Sequence, residues 1–243
     1  MPYSNVSGVV GTQQAALFGR PDTVERQMPG FTAFSEDPYW GSTEVIYVRA
    51  NGTIRQGGLV VITPLLTGGR WRWDATEVPN TANLGCPVYV AMTPMTAGQF
   101  GWVSKQGIIP VNCNASVAAD TAFGIAAAGQ GGANSAGKQV LNARVIAAAS
   151  TTTVGKANST ANSGSNQLRV NGADGWFIGV YLSGTGIAAG TTVLDISPDG
   201  QTVTLSAVTT AAVNGTVTAN YNNGTVFYNV CYIDRPCAQG AIT

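Results

Sequence analysis

Two glycine-rich segments come closest to known cofactor-binding motifs. Residues 132–139 read GANSAGKQ and match the phosphate-binding loop G-x-x-x-x-G-K-[ST] up to the last position, where Gln139 has no hydroxyl to bind Mg²⁺. The run that follows has only weak helix signals, although this loop requires a helix there. Gly184, Gly186 and Gly190 imitate a dinucleotide fingerprint, but their spacing is G-x-G-x-x-x-G and a strand is predicted after them. We therefore predict no nucleotide cofactor.

The residues that usually carry catalysis or bind metals are scarce. The chain has no histidine, which excludes Ser-His-Asp catalysis and histidine-bound zinc within this chain. Cys86, Cys113, Cys231 and Cys237 form no C-x-x-C pair, so we expect four reduced, mostly buried thiols, as is usual in a cytosol.

The carboxylates show no pair that stands out as a glycosidase site, and residues 171–175 (NGADG) lack the repeated acidic ligands of a calcium loop. We therefore predict that the protein is not an enzyme, with no catalytic residue, no cofactor and no metal.

Three tryptophans leave two interpretations open. Trp71, Trp73 and Trp102 are suited to a sugar-stacking platform, or to a β core or a subunit interface. We favour core or interface, because large aromatic side chains are usually mostly buried.

The bulk composition excludes two classes of partner. Charged residues make up 10% of the chain and the formal net charge is zero, so there is no basic stripe to bind nucleic acid. No apolar run approaches the about 20 residues of a membrane helix, and the N-terminal residues do not predict a secretory signal. A sequence with so few charges is suited to surfaces that are covered in an assembly.

The clearest structural signal is a β-hairpin. Residues 191–196 and 201–206 alternate Thr with apolar residues and flank the turn Ser-Pro-Asp-Gly at 197–200. Short strand candidates separated by turn residues continue from residue 44 to 111, whereas residues 150–166 look like a polar linker and residues 129–137 like a loop. The fold class predicted is all-β, with a β-sandwich or barrel body.

Differences in composition predict three parts. Residues 44–150 and 223–243 form the β body, because the last strand is rich in aromatic residues like the strands of the first half. Residues 151–222, rich in Thr and Val, form a small inserted β-module.

Residues 1–43 form an extended N-terminal arm with several aromatic residues and no clear period. Two interpretations of this segment stay open: a loop that packs on its own domain, or an arm that docks on a neighbouring subunit. On the second, the contact residues are Phe18, Arg20, Arg26, Phe31, Phe34, Tyr39 and Trp40.

Several stretches resemble the capsid decoration (cement) proteins of tailed bacteriophages. They are GGLVVITP, LGCPVYVAM, FGWVSKQGIIPV and AFGIAAAGQGG in the body, and SGTGIAAGTTVLDISPDGQTVTLS, which is similar to a β-module of phage structural proteins. The resemblance implies a non-catalytic homotrimer that is made in the host bacterial cytoplasm. It also implies that the trimer binds the major capsid protein on the outer capsid surface, with arms that bridge subunits. The alternative is a head- or tail-fibre adhesin that binds host surface glycans.

Overall fold

Alternating apolar and polar residues, interrupted by glycine and proline, predict strands along most of the chain. The computed structural model describes residues 20–37 and 39–241, and within these ranges it contains sixteen strands and no helix. The predicted all-β class is therefore confirmed. In chain order the strands are β1 (Thr32–Asp37), β2 (Gly41–Ala50), β3 (Leu59–Thr67), β4 (Arg70–Glu77), β5 (Tyr89–Ala91), β6 (Phe100–Cys113), β7 (Phe123–Ala127), β8 (Gln130–Ala133), β9 (Val140–Ala147), β10 (Thr153–Ala161), β11 (Gln167–Arg169), β12 (Tyr181–Ser183), β13 (Val193–Ile196), β14 (Thr202–Leu205), β15 (Val213–Asn220) and β16 (Phe227–Ala238).

The strands form two sheets. The larger has ten strands in the order β1-β2-β4-β3-β5-β6-β16-β9, with β7 and β8 attached to β6 through β8. The smaller has six strands in the order β12-β15-β10-β11-β14-β13, all between residues 153 and 220. The last strand, β16, pairs with β6 and β9 of the larger sheet. We call the larger sheet with its loops the body, and the smaller one with its loops the module.

Part of the larger sheet closes on itself, because β6 pairs with β2 as well as with β5. The pairings β2–β4–β3–β5–β6–β2 thus form a ring of strands. Successive residues of a strand face opposite sides of the ring. Val103 accordingly belongs to a small apolar cluster with Ile46 and Val48, whereas its neighbour Trp102 belongs to the main core with Tyr47.

The main core continues from the body into the module. Phe177 of the module packs edge-on against Tyr228 of β16 and against Tyr221, with ring centroids 4.9 Å and 5.3 Å apart. The ring centroid of Trp40 lies 6.2 Å from that of Tyr221. All four of these aromatic side chains are buried. We call Trp40, Phe177, Tyr221 and Tyr228 the junction cluster. Because these large rings exclude water together, they join the module to the body.

A buried amide fixes the chain where it leaves the body for the module. Asn229 on β16 is fully buried, and its Oδ1 accepts hydrogen bonds from the backbone N–H groups of Val117 and Ala149, at 3.0 Å and 2.9 Å. Its Nδ2 donates to the carbonyl of Ala115 at 3.0 Å. One side chain therefore satisfies buried backbone groups of two loops and ties both loops to β16.

The predicted hairpin in the module is confirmed. Strands β13 and β14 pair antiparallel, and the N–H of Gly200 donates to the carbonyl of Ser197 at 2.8 Å across the turn. Gly200 has a φ of +68°, which glycine adopts without steric cost.

Two segments differ from their predicted loop state. The predicted linker, residues 150–166, contains β10, which pairs with β15 along most of its length. Thr153, Asn158 and Thr160 of β10 are exposed on the sheet, whereas Ser159 is buried. Polarity there is therefore not evidence for a linker.

The predicted loop at residues 129–137 contains β8. Its glycines allow close packing there, since a Cβ at Gly131 would lie 2.9 Å from the Sγ of Cys113.

The described part of the N-terminal segment, residues 20–37 and 39–43, also differs from the predicted extended arm. Asp22 forms a β-bridge to Phe100, and β1 pairs antiparallel with β2 of the same chain. Trp40 is 3% exposed and belongs to the main core. The chain's own body thus covers this apolar surface. For residues 20–37 and 39–43 the structure favours the first of the two interpretations, a segment that packs on its own domain.

Candidate binding surface

The outer half of the β3–β4 hairpin carries exposed apolar residues. The strands are joined by Gly68 and Gly69, whose φ values are +60° and +77°, as a two-residue turn with left-handed backbone at both positions requires. The register places Leu66 opposite Trp71. Leu66 is 57% exposed and Trp71 is 63% exposed, so a directly paired leucine and tryptophan face solvent together.

The burial of the hairpin changes along its length. Asp74 and Ala75 on β4 are buried, and Leu59 and Val60 on β3 are buried at the same end of the hairpin. From residue 63 to 71 every residue is exposed. The base of the hairpin is therefore anchored in the body, while its tip extends beyond it.

A second exposed apolar segment lies beside this tip. Arg70 pairs with Glu25 at 3.3 Å, and Gly30, with a φ of +97°, packs so closely on the indole of Trp73 that a side chain would not fit there. These contacts place residues 24–30 along the hairpin. Val24 and Met28 are more than 60% exposed on that segment. We define the hairpin surface as Val24, Met28, Leu66 and Trp71. Leu65 is also exposed, but it faces the other side of the hairpin.

The charges at the base of the hairpin surface are paired. Arg72 donates to both carboxylate oxygens of Asp74, at 3.1 Å and 2.9 Å, and Arg49 lies 3.7 Å from the same carboxylate. Asp74 is only 5% exposed in its side chain, so the ion pairs are held in fixed positions. Arg72 is opposite Leu65 in the register, so it lies on the other face of the hairpin from Leu66 and Trp71. The exposed apolar pair itself is typical of a protein–protein interaction site.

The predicted contact residues do not form one surface. Arg20 pairs with Asp195 of the module at 3.1 Å, and Arg26 with Asp22 at 2.7 Å; both arginines remain largely exposed. Phe34 on β1 and Tyr39 near the module are 50% and 44% exposed. Phe18 lies outside the described residues.

Two predicted contact residues face the protein's own interior. Phe31 is partly buried with its ring centroid 6.3 Å from that of Trp102, and Trp40 belongs to the junction cluster. Trp40 cannot meet a partner surface without local unfolding, because its apolar area is already covered. Phe31 has only part of its ring left for such a contact.

Leu65 and Leu66 were not among the residues predicted from the sequence. The signal that identifies them is the Gly-Gly pair between two strand-like runs, which predicts a tight hairpin. Periodicity alone does not say how far such a hairpin extends beyond its sheet.

The three tryptophans lie in different environments. Trp102 is buried in the main core, Trp73 is half-buried against Gly30, and Trp71 is exposed. The structure therefore does not bring all three together as a sugar-stacking platform.

The segments that resemble cofactor motifs have other surroundings. Residues 132–139 comprise the end of β8 and the loop to β9, with no helix after them. Lys138 Nζ donates to the side chain of Asn80 at 2.9 Å. In the ranges 20–37 and 39–241 no cluster of acidic residues and cysteines is arranged to hold a metal ion.

The cysteines are free thiols. Cys113 and Cys231 are fully buried, and burial raises the pKa of Cys113 to about 11 and that of Cys231 well above its ordinary value. Cys86 and Cys237 are half-buried. The pKa of Cys86 is raised, mainly by burial and to a smaller extent by the neighbouring Cys237. These are properties of unreactive thiols rather than of nucleophiles.

Among the described residues, no helix is long and apolar enough to cross a membrane. Comparison of the chain with protein-family models, with curated proteins and with solved structures finds no match.

Proposed function

We propose that this protein is a structural virion protein that binds the outer surface of a phage capsid as a homotrimer and bridges neighbouring capsid subunits. Its partner is the major capsid protein, and it acts without enzymatic chemistry or a cofactor. It is made in the bacterial cytoplasm and functions on the assembled particle.

The observation that carries this proposal is the hairpin surface. An exposed tryptophan directly opposite an exposed leucine forms an apolar patch of the kind that marks interaction sites. Tryptophan is also among the residue types that dominate protein–protein binding energy. The low charge of the chain is in keeping with surfaces that are covered in an assembly. The resemblance of the sequence to decoration proteins supplies the identity of the partner.

Burial decides which residues are available for this contact. We assign the main capsid contact to the hairpin surface instead of to Phe31 and Trp40. Arg20, Arg26, Phe34 and Tyr39 remain exposed enough to make additional contacts with the capsid. Deletion of residues 1–40 is not a clean test of the contact, because it removes Trp40 from the core and β1 from its sheet.

The sharper test is the double substitution Leu66→Ser with Trp71→Ala. Undecorated shells of the cognate phage would be mixed with each protein and sedimented, and the bound fraction measured against concentration. Loss of a central tryptophan contact costs about 2 kcal/mol or more, so we expect the apparent affinity to fall at least about 30-fold.

Val208→Ser is the matched control, because Val208 is an exposed apolar residue of the module, at 55% exposure. It should bind shells like the wild type, and both variants should keep the wild-type circular dichroism. Normal decoration by the double variant would refute the proposed contact. A loss of trimer mass in solution would show instead that the hairpin surface joins copies of this chain.

A fibre adhesin that binds host glycans is the second candidate, and the exposed indole of Trp71 is the observation that favours it. A glycan array with the wild type and with Trp71→Ala separates the two functions. Glycan binding that needs Trp71, together with no binding to shells, would favour the adhesin.

A further inference from the structure

An irregular step in the pairing of β9 with β16 forms a concave site. Ile233 pairs with Ala143 and Cys237 pairs with Leu141, so residues 234–236 of β16 face Asn142 alone. Such a bulge bends the strands and redirects the side chains at the step, and bulges are enriched beside functional sites.

Both sides of this bulge contain a left-handed residue that is not glycine. Asn142 has a φ of +56° and Arg235 has a φ of +47°. Asparagine adopts this conformation readily, but for arginine it is sterically unfavourable. Strained backbone that persists in a folded protein is often found at binding sites.

An ion pair between Arg235 and Glu44 of β2 holds the strained part of β16 in place. The guanidinium of Arg235 donates to Glu44 at 3.0 Å, and the Glu44 side chain is only 7% exposed and also pairs with Lys105 at 2.7 Å. The bulge is thus a fixed feature of the fold, and the side chains next to it are held in position.

These side chains surround a shallow depression of about 500 Å³, lined by Asn142, Ala143, Arg144, Tyr232 and Asp234. Tyr232 lies directly opposite Arg144 in the register and is 42% exposed. In the part of the chain that the structure describes, its hydroxyl makes no hydrogen bond. An aromatic face and an unsatisfied hydroxyl therefore both point to solvent at this site.

The charges of the depression balance. Arg144 pairs with Asp120 at 3.5 Å, and Asp234 pairs with Arg235 at 3.5 Å. An anionic ligand would be repelled by Asp234, and a cationic ligand would be repelled by Arg144, so the site favours neither charge. A neutral ligand with one apolar face and several hydroxyl groups matches this lining best, because the ring packs on the apolar face and the polar groups bind the hydroxyls.

We propose that the β9–β16 bulge binds a neutral pyranose unit of a saccharide, with Tyr232 as the stacking residue. Asn142, Arg144 and Asp234 bind the sugar hydroxyls. The site uses none of the residues of the hairpin surface, so this proposal stands whether or not the protein decorates capsids.

The test is saturation-transfer difference NMR with methyl glycosides of glucose, galactose, mannose, rhamnose and N-acetylglucosamine. We expect about millimolar affinity from a single exposed site for one sugar unit, and this method detects such binding. We expect at least one glycoside to receive saturation from the wild type. Tyr232→Ala should lower that affinity at least tenfold.

Two variants make the result specific. Tyr232→Phe keeps the stacking face and should bind within about threefold of the wild type, since it loses one hydroxyl contact. Leu141→Ala alters an exposed neighbour outside the lining, at 40% exposure, and should bind like the wild type. The proposal is wrong if no glycoside binds the wild type, or if Tyr232→Ala binds as well as the wild type does.

Discussion

The buried amide of Asn229 offers the sharpest test of how body and module are held together. Asn229→Leu keeps a similar side-chain size but removes every hydrogen-bonding atom of the side chain. The three hydrogen bonds of the Asn229 side chain to Ala115, Val117 and Ala149 are 2.9 Å to 3.0 Å long. The substitution removes all three at once.

The expected cost follows from the burial of the groups left behind. Val117 and Ala149 are 8% and 1% exposed, so their N–H groups cannot turn to water, whereas Ala115 is exposed and its carbonyl can. Each buried unsatisfied N–H costs about 1–3 kcal/mol, and the third bond contributes about 1 kcal/mol. We therefore expect a loss of about 3–7 kcal/mol, from a total stability that is about 5–15 kcal/mol for a typical protein.

The assay is urea denaturation followed by tryptophan fluorescence and by far-UV circular dichroism. Asn162→Leu is the control, because the exposed side chain of Asn162 makes no hydrogen bond in the described part of the chain; it should change the stability by less than about 0.5 kcal/mol. A loss below about 1 kcal/mol for Asn229→Leu would refute the assigned role, because even one orphaned N–H costs more.

Two further predictions concern the core. Phe177→Ala should cost about 3–5 kcal/mol and lower the unfolding midpoint of body and module together, because Phe177 contacts Tyr221 and Tyr228; separate fluorescence and circular dichroism transitions would contradict a shared core. The free energy of unfolding should fall as the pH rises from 9 to 11, because the unfolded thiol of Cys113 ionises near its ordinary pKa of 9.0 while burial raises the folded pKa to about 11. A tenfold difference between the folded and unfolded acid dissociation constants is worth about 1.4 kcal/mol. Urea titrations at several pH values should therefore show that the free energy of unfolding falls less steeply with pH in Cys113→Ala than in the wild type. Equal slopes would contradict this linkage.

Local sequence was sufficient to predict the elements that depend on neighbouring residues. The turn at residues 197–200 is specified by proline, aspartate and glycine in adjacent positions, and the structure confirms the hairpin around it. Strand β10 was missed because its Ser, Thr and Asn residues are shared by linkers and by the solvated faces of sheets. Only the pairing with β15, more than fifty residues later in the chain, distinguishes the two.

The contact residues were harder to predict for a related reason. Trp40 and Trp71 are equally apolar in sequence, yet Trp40 is 3% exposed and Trp71 is 63% exposed. The difference arises from position, because Trp40 lies where body and module meet and Trp71 lies near the tip of a hairpin. No local pattern encodes either environment.

The all-β class, the turns and the absence of histidine chemistry follow from the order and types of the residues, because composition and short-range backbone preferences decide these properties. Folding adds which aromatic residues are covered and which are exposed. It also joins Asn142 to residues 234–236 at one bulge, and it extends the core from the body into the module. These features depend on contacts between residues far apart in the chain, and such contacts form only when the strands are paired.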